Sequence, residues 1–115
     1  MNSKAESLYG EVFYESRVPV PATATFTVRL YDVSIEDISY PIIAEQEEPV
    51  GDRGVPLPFH LTYDCKQLKP GHRYAVRGQI TDETRYLFLN IAMEPVELDG
   101  SDPQPLRIKL DTALG

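Results

Sequence analysis

The sequence has no tryptophan, one cysteine and no long apolar run among its 115 residues. The single cysteine, Cys65, excludes an intrachain disulfide, and the apolar runs are far shorter than the roughly 20 residues of a transmembrane helix. Positive charge is also scarce, because 11 Lys and Arg stand against 18 Asp and Glu for a net charge of −7. Phosphate recognition depends on Lys and Arg, so we expect no nucleic-acid partner. The short apolar runs likewise predict no direct insertion of this chain into a membrane.

The ionisable residues form no pattern typical of a catalytic, cofactor or metal site. His60 lies on the polar face of a predicted strand and His72 in a turn, whereas a zinc site needs three or four ligands. Asp99–Asp102 lacks the remaining oxygen ligands of a calcium loop and is equally typical of a turn. Glu45 and Glu47 alternate on one strand face, which favours a solvated sheet edge over a glycosidase pair. We therefore predict a protein that is not an enzyme and holds no metal or cofactor.

The first seven residues, Met1 to Ser7, lack the apolar core of a signal peptide. The chain is therefore expected to be either cytoplasmic or a form from which a leader has been removed. We predict a disordered tail over residues 1–7 and a single domain over residues 8–112, because this length suits one hydrophobic core.

Short alternating runs separated by Pro- and Gly-rich turns dominate the sequence. In Val55–Leu61 every odd position is apolar, whereas the even positions are Pro56, Pro58 and His60. Side chains of a strand alternate between its two faces, so this run predicts a strand with one buried face and with Phe59 in the core. Proline cannot donate to a sheet ladder, which places this strand at a sheet edge.

About seven runs of this kind, with turn signals between them, predict an all-β fold. The helical segments are single turns at residues 34–38 and 64–68, so the crossover helices that parallel sheets require are missing. The predicted fold class is an antiparallel β-sandwich of about seven short strands with at most short helical turns. The predicted strands are 8–14, 24–33, 42–48, 55–63, 73–81, 85–91 and 106–111.

Aromatic residues provide the candidate for a binding surface. If Leu87 and Leu89 face the core, alternation turns Tyr86 and Phe88 outward, and Phe13 faces outward in the first strand in the same way. Exposed aromatic side chains often mark protein contacts, so Phe13, Tyr86 and Phe88 are the predicted partner-binding residues. The other interpretation is that neighbouring elements cover these rings.

Five segments, taken in order, resemble the YbaY-type lipoproteins, which are related to the YscW-type pilotins of type III secretion. The first two are Leu8–Pro21, which opens the domain, and Thr27–Ser34, with its Asp-Val-Ser ending. The others are Ile43–Gln46, Pro58–Asp64 and His72–Ile80, so the resemblance extends over roughly residues 8 to 91.

The resemblance implies a β-sandwich of the bacterial periplasm or outer membrane, without catalytic activity, that binds a protein partner of the envelope. Within the pilotin branch it implies assistance to secretin assembly or targeting. Family lipoproteins carry an acylated cysteine after the signal peptide, whereas Cys65 lies deep in the domain and cannot serve as that anchor. The alternative is a carbohydrate-binding or small-ligand-binding module that uses exposed Tyr and Phe as stacking platforms.

Overall fold

Two β-sheets packed face to face make up the fold. The structure is a computed structural model, and it describes residues 5–15, 19–34 and 40–113. Within those ranges the strands are β1 (Ala5–Phe13), β2 (Thr25–Asp32), β3 (Ile42–Pro49), β4 (Leu57–Asp64), β5 (Tyr74–Asp82), β6 (Arg85–Leu89), β7 (Glu94–Val96), β8 (Leu106–Lys109) and β9 (Asp111–Thr112).

The larger sheet has the strand order β3-β2-β5-β6-β9, and β7 pairs with β5 beyond the end of β6. The smaller sheet has the order β4-β1-β8. The recorded strand pairs are antiparallel except for β1 and β8, which run parallel with Gly10 opposite Leu106. The predicted all-β sandwich is confirmed, and the strands outnumber the predicted seven because β7 and β9 are short segments without an alternating pattern.

The core lies between the sheets and is built from alternating strand positions. In β4, Leu57, Phe59 and Leu61 are buried while the residues between them are exposed, as the sequence predicts. The inward residues of β2, Phe26 and Val28 among them, are fully buried against this row. The alternation therefore identifies the buried face of these two strands correctly.

The sandwich is closed along both of its sides. On one side, Leu110 alone joins β8 in the smaller sheet to β9 in the larger sheet, and its amide donates to the Phe13 carbonyl at 2.7 Å. On the other side, the edge strands β3 and β4 are joined by the Gln46 side chain, whose Oε1 accepts the His60 amide at 2.7 Å. Both predicted edge strands are confirmed, with Glu45 exposed on β3 and Pro58 exposed on β4.

A 3-10 turn at Cys65–Gln67 confirms the helical turn predicted at residues 64–68. Asp64 accepts the Lys66 amide at 2.9 Å, and the Gln67 side chain accepts the Asp64 amide at 3.2 Å. Of the turn predicted at 34–38, residues 35–38 lie outside the described residues. β1 begins at Ala5, earlier than the predicted Leu8, while residues 1–4 of the predicted tail also lie outside them.

The predicted outward position of Phe88 is wrong, because this side chain is only 2% exposed. Phe88 lies directly opposite Ile80, which points into the core, and paired residues share a face of the sheet. The register shifts between Ile80 and Thr81, so Leu87 has no direct partner and the alternation changes phase. Leu87 and Leu89, predicted to face the core, are half-buried, and Leu87 packs against the edge of the core.

Candidate functional site

A cleft of about 470 Å³ opens on the outer face of the larger sheet. Its position follows from the alternation of β5, whose Val76 and Ile80 point into the core and whose Ala75 and Arg77 point the other way. We call it the outer cleft. It is lined by Val33, Tyr40, Arg73, Tyr74, Ala75, Arg77, Ile91, Met93 and Pro95.

The floor of the outer cleft is low because a small residue lies between two larger ones. Ala75 is opposite Tyr31 of β2 on one side and opposite Pro95 of β7 on the other. Tyr31 is also in edge-to-face contact with Tyr40, at 6.4 Å between ring centroids, which builds an aromatic wall above β2. An alanine methyl between these larger side chains leaves a depression in the sheet surface.

Arg77, which lines the outer cleft, has a second arginine beside it that does not. Arg29 of β2 and Arg77 of β5 are directly opposite each other in the antiparallel ladder. Hydrogen bonds with Tyr31 and Glu45 raise the pKa of Arg29, and its guanidinium forms an ion pair with the Glu45 carboxylate. Arg77 donates from Nη2 to the Ile91 carbonyl at 3.1 Å, and its buried Nε has no hydrogen-bond acceptor.

Asn90 holds the segment that forms one rim of the outer cleft. The side chain is buried, with Oδ1 accepting the Gly78 amide at 2.9 Å and Nδ2 donating to the Val76 and Ala92 carbonyls. These bonds replace a strand partner for β5 in the gap between β6 and β7. The neighbouring Ile91, 68% exposed, is thereby fixed at the mouth of the cleft.

Asp32 and His72 fix the opposite end of the cleft, at Arg73. The His72 Nδ1 lies 2.6 Å from Oδ2 of Asp32, while Oδ1 accepts the Ser34 amide at 3.0 Å. Burial raises the pKa of the Asp32 carboxyl, but the bonds from His72 and Ser34, with the charge of Lys69, outweigh it and hold the pKa below its usual value. The Ser34 hydroxyl in turn accepts the Arg73 amide, which sets the backbone of this arginine.

The structure does not bring Phe13, Tyr86 and Phe88 onto one surface. Phe13 belongs to the smaller sheet, is partly buried, and has the Arg107 guanidinium 4.6 Å from its ring centroid. Tyr86 is half-exposed at one end of the larger sheet, whereas Phe88 stacks on Tyr14 in the core at 4.2 Å. Partner binding by Phe13 or Tyr86 stays a prediction, and the burial of Phe88 removes that ring from any exposed patch.

The other residues considered from the sequence have local structural roles. The side chain of Asp99 accepts from the amide and hydroxyl of Ser101, which lowers its pKa, and Asp102 accepts the amides of Glu97 and Leu98. This loop is therefore a hydrogen-bonded turn. Across residues 5–15, 19–34 and 40–113, no group of three or more His, Cys, Asp or Glu is placed to hold a metal ion.

The described part of the chain contains no helix long and apolar enough to cross a membrane.

The outer cleft could have been found in part from the sequence. Tyr74, Val76, Gly78 and Ile80 mark the inward face of the fifth strand, so Arg73, Ala75 and Arg77 alternate on its outer face. A pair of cations separated by a small residue is the available signal. The walls come from Tyr40 and from β7, which no local pattern places beside β5.

Comparison with known proteins identifies the family. The family described as type III secretion system lipoprotein chaperone (YscW) matches residues 3–110. The uncharacterized lipoprotein YbaY of Escherichia coli (strain K12) is 24% identical over 99 residues, which cover 86% of this chain and 52% of that protein. The chain thus spans about half the length of this curated relative.

A solved structure shares the fold over its whole length. It is described as an alternative pilotin from the type II secretion system of Vibrio cholerae, and it is 32% identical to this chain. The two structures superpose with a TM-score of 0.85 over 97% of this chain and 100% of the pilotin. Since the family match also spans nearly the whole sequence, the chain belongs to the YscW family of type III secretion system lipoprotein chaperones.

Proposed function

We propose that this chain is a pilotin-like chaperone that binds a protein component of a secretion system in the bacterial envelope. The observation that carries the proposal is the match to the Vibrio cholerae pilotin, which covers both chains almost completely at 32% identity. The YscW family is named for lipoprotein chaperones, and YbaY is also a lipoprotein, so envelope association at the periplasmic or outer-membrane side is part of the proposal.

The chemistry of the structure supports binding rather than catalysis. The outer cleft combines apolar walls with two arginines, and a cleft of this volume can take one or two side chains of a partner. The description of the family as chaperones supports a role in binding another protein without catalysis. A secretin, the partner implied for pilotins by the family resemblance, is the first candidate.

Site-specific photocrosslinking in bacterial cells that contain a secretion system tests this function. The full-length protein, expressed from its own gene, carries a photoreactive phenylalanine analogue at position 91, on the exposed rim of the outer cleft. We expect a crosslink to a secretion-system component, identified by mass spectrometry. The matched control places the analogue at position 62, an exposed site on β4 in the other sheet. Crosslinks only to unrelated proteins, or equal crosslinking from both positions, would contradict the proposal.

A further inference from the structure

The arginines of the described residues fall into two groups. In four of them a guanidinium nitrogen lies within 4.0 Å of a carboxylate oxygen: Arg29 with Glu45, Arg53 with Glu48, Arg85 with Asp82 and Arg107 with Glu11. For the other two, Arg73 and Arg77, no carboxylate partner exists among residues 5–15, 19–34 and 40–113, and both line the outer cleft. In a chain with a net charge of −7, this cleft therefore holds both arginines that lack a carboxylate partner in the described part of the chain.

The surroundings of Arg77 indicate a missing acceptor. Arg77 is directly opposite Arg29, and like charges in that position destabilise a sheet unless they are neutralised. Glu45 neutralises Arg29 but not Arg77. One Arg77 nitrogen is satisfied by the Ile91 carbonyl, while the buried Nε has no partner, which is unfavourable for a buried N–H group. A negatively charged acceptor beside the exposed part of the Arg77 guanidinium would neutralise the charge that Glu45 leaves on this pair.

The apolar walls of the outer cleft indicate that a ligand must carry apolar groups beside its negative charge. Tyr40 and Ile91 are exposed at the mouth, and Met93 and Pro95 continue the apolar surface beside Ala75. A bare inorganic anion would leave this surface in water. A peptide carboxylate with neighbouring apolar side chains satisfies the guanidinium groups and covers the apolar wall together.

We propose that the outer cleft recognises a short protein segment in which an aspartate or glutamate lies next to apolar side chains. Arg77 holds the carboxylate through its planar guanidinium and Arg73 adds a second positive charge. The apolar neighbours pack against the two walls of the cleft, at Tyr40 and at Met93. This inference rests on the proposed chaperone function and specifies the chemistry of the bound partner.

A displayed library of short random peptides, selected against the purified protein, tests the inference. We expect the enriched peptides to share an Asp or Glu beside apolar residues. Their affinity should fall about tenfold or more for Arg77→Met and for Arg73→Met, because a charge-assisted hydrogen bond is lost. Arg77→Lys should recover only part of the affinity, since an ammonium lacks the fork of the guanidinium.

The matched control is Arg85→Met, which removes the same charge from an exposed arginine at the β5–β6 turn, outside the cleft. It should leave the affinity unchanged, and thermal melts should show that all four variants are folded. Enriched peptides without acidic residues, equal losses for Arg85→Met and Arg77→Met, or a library without any binder would overturn the inference. Displacement of the enriched peptides by inorganic phosphate at matched ionic strength would also overturn it, since the cleft would then be a simple anion site.

The two proposals can fail separately. A crosslink from position 91 to a secretion-system component, together with peptides that lack an acidic residue, would retain the chaperone function and reject the carboxylate. If the enriched peptides are acidic and need Arg77 for binding, but no secretion-system component is crosslinked in cells, the recognition chemistry is supported and the proposed function is rejected.

Discussion

For the single residue Phe88, the alternation of apolar and polar positions along the strand predicts the wrong face of the sheet. The segment Tyr86–Leu89 is apolar on both faces, so its pattern alone does not determine which face is buried. The decision comes from the pairing of Phe88 with Ile80 and from the stacking of its ring on Tyr14. Neither contact is local in sequence, which is why sequence reasoning placed this ring outside.

Phe88→Ala should therefore destabilise the protein by about 3–5 kcal/mol, since it opens a cavity in a packed core. Tyr86→Ala, at a side chain that is 50% exposed in the same strand, should cost about 0.5 kcal/mol. Urea unfolding followed by far-UV circular dichroism measures both. Equal costs at the two positions would mean that the buried face of β6 has been misassigned.

Asp32 gives the protein an acid-sensitive contact. Its carboxyl pKa is held below the usual 3.8, so the folded state binds this proton less readily than the unfolded state. The stabilisation is present above about pH 4 and is lost as the pH falls through the lowered pKa. Between about pH 5 and pH 3, the wild type should lose more free energy of unfolding than Asp32→Asn does. Parallel pH profiles for the two proteins would show that Asp32 contributes nothing to acid sensitivity.

At the scale of elements, the pairing of β1 with β8 depends on the absence of a side chain at Gly10. An added Cβ at this position would lie 2.3 Å from the Leu106 carbonyl oxygen and 2.7 Å from its amide nitrogen. Both atoms belong to backbone, which cannot move aside as a flexible side chain does. The parallel pairing thus requires glycine at this position of β1.

Gly10→Ala should cost about 1–3 kcal/mol or more, because overpacking must separate β1 from β8. The matched control is Gly54→Ala, where an added Cβ meets nothing within 4 Å. That change should stay within about 0.5 kcal/mol. Thermal melts of the two variants measure the difference, and similar melting temperatures would contradict the close approach of β1 and β8.

The elements that sequence reasoning predicted well are those with one apolar and one polar face. β4 alternates cleanly, β2 does so apart from Thr27, which is buried on its outer face, and the hairpin of β5 and β6 has a short polar turn at residues 83–84. β7 and β9 are only three and two residues long, and their pairing is decided by neighbouring strands. The candidate site divides in the same way: Arg73 and Arg77 are readable from alternation, whereas the Asn90 bonds and the β7 wall are tertiary features.

At the scale of the whole molecule, the two sheets depend on each other. The single core joins both, and the crossing at Leu110 and the Gln46 bond close the two sides. We therefore expect residues 8–112 to unfold as one unit, in line with the single domain predicted from length.

If both sheets unfold together, far-UV and near-UV circular dichroism should give the same urea midpoint. Far-UV circular dichroism follows the strands of both sheets. Near-UV circular dichroism follows tyrosine packing, with buried Tyr63 in the smaller sheet and buried Tyr74 in the larger sheet. Because the chain has no tryptophan, the near-UV signal comes mainly from its seven tyrosines. Two separate midpoints would show that the sheets are independent and that the single-domain prediction is wrong.

The parallel pairing of β1 with β8 also determines how late the smaller sheet can form during translation. Glu11 and Arg107, which form an ion pair across these strands, are 96 residues apart along the chain. At a translation rate of about 5–20 residues per second, β8 is made roughly 5–20 s after β1. Throughout that interval the smaller sheet lacks β8 and the sandwich stays open on one side. A nascent chain of this topology therefore cannot complete its smaller sheet until β8 has left the ribosome, however early β1 and β4 have been made.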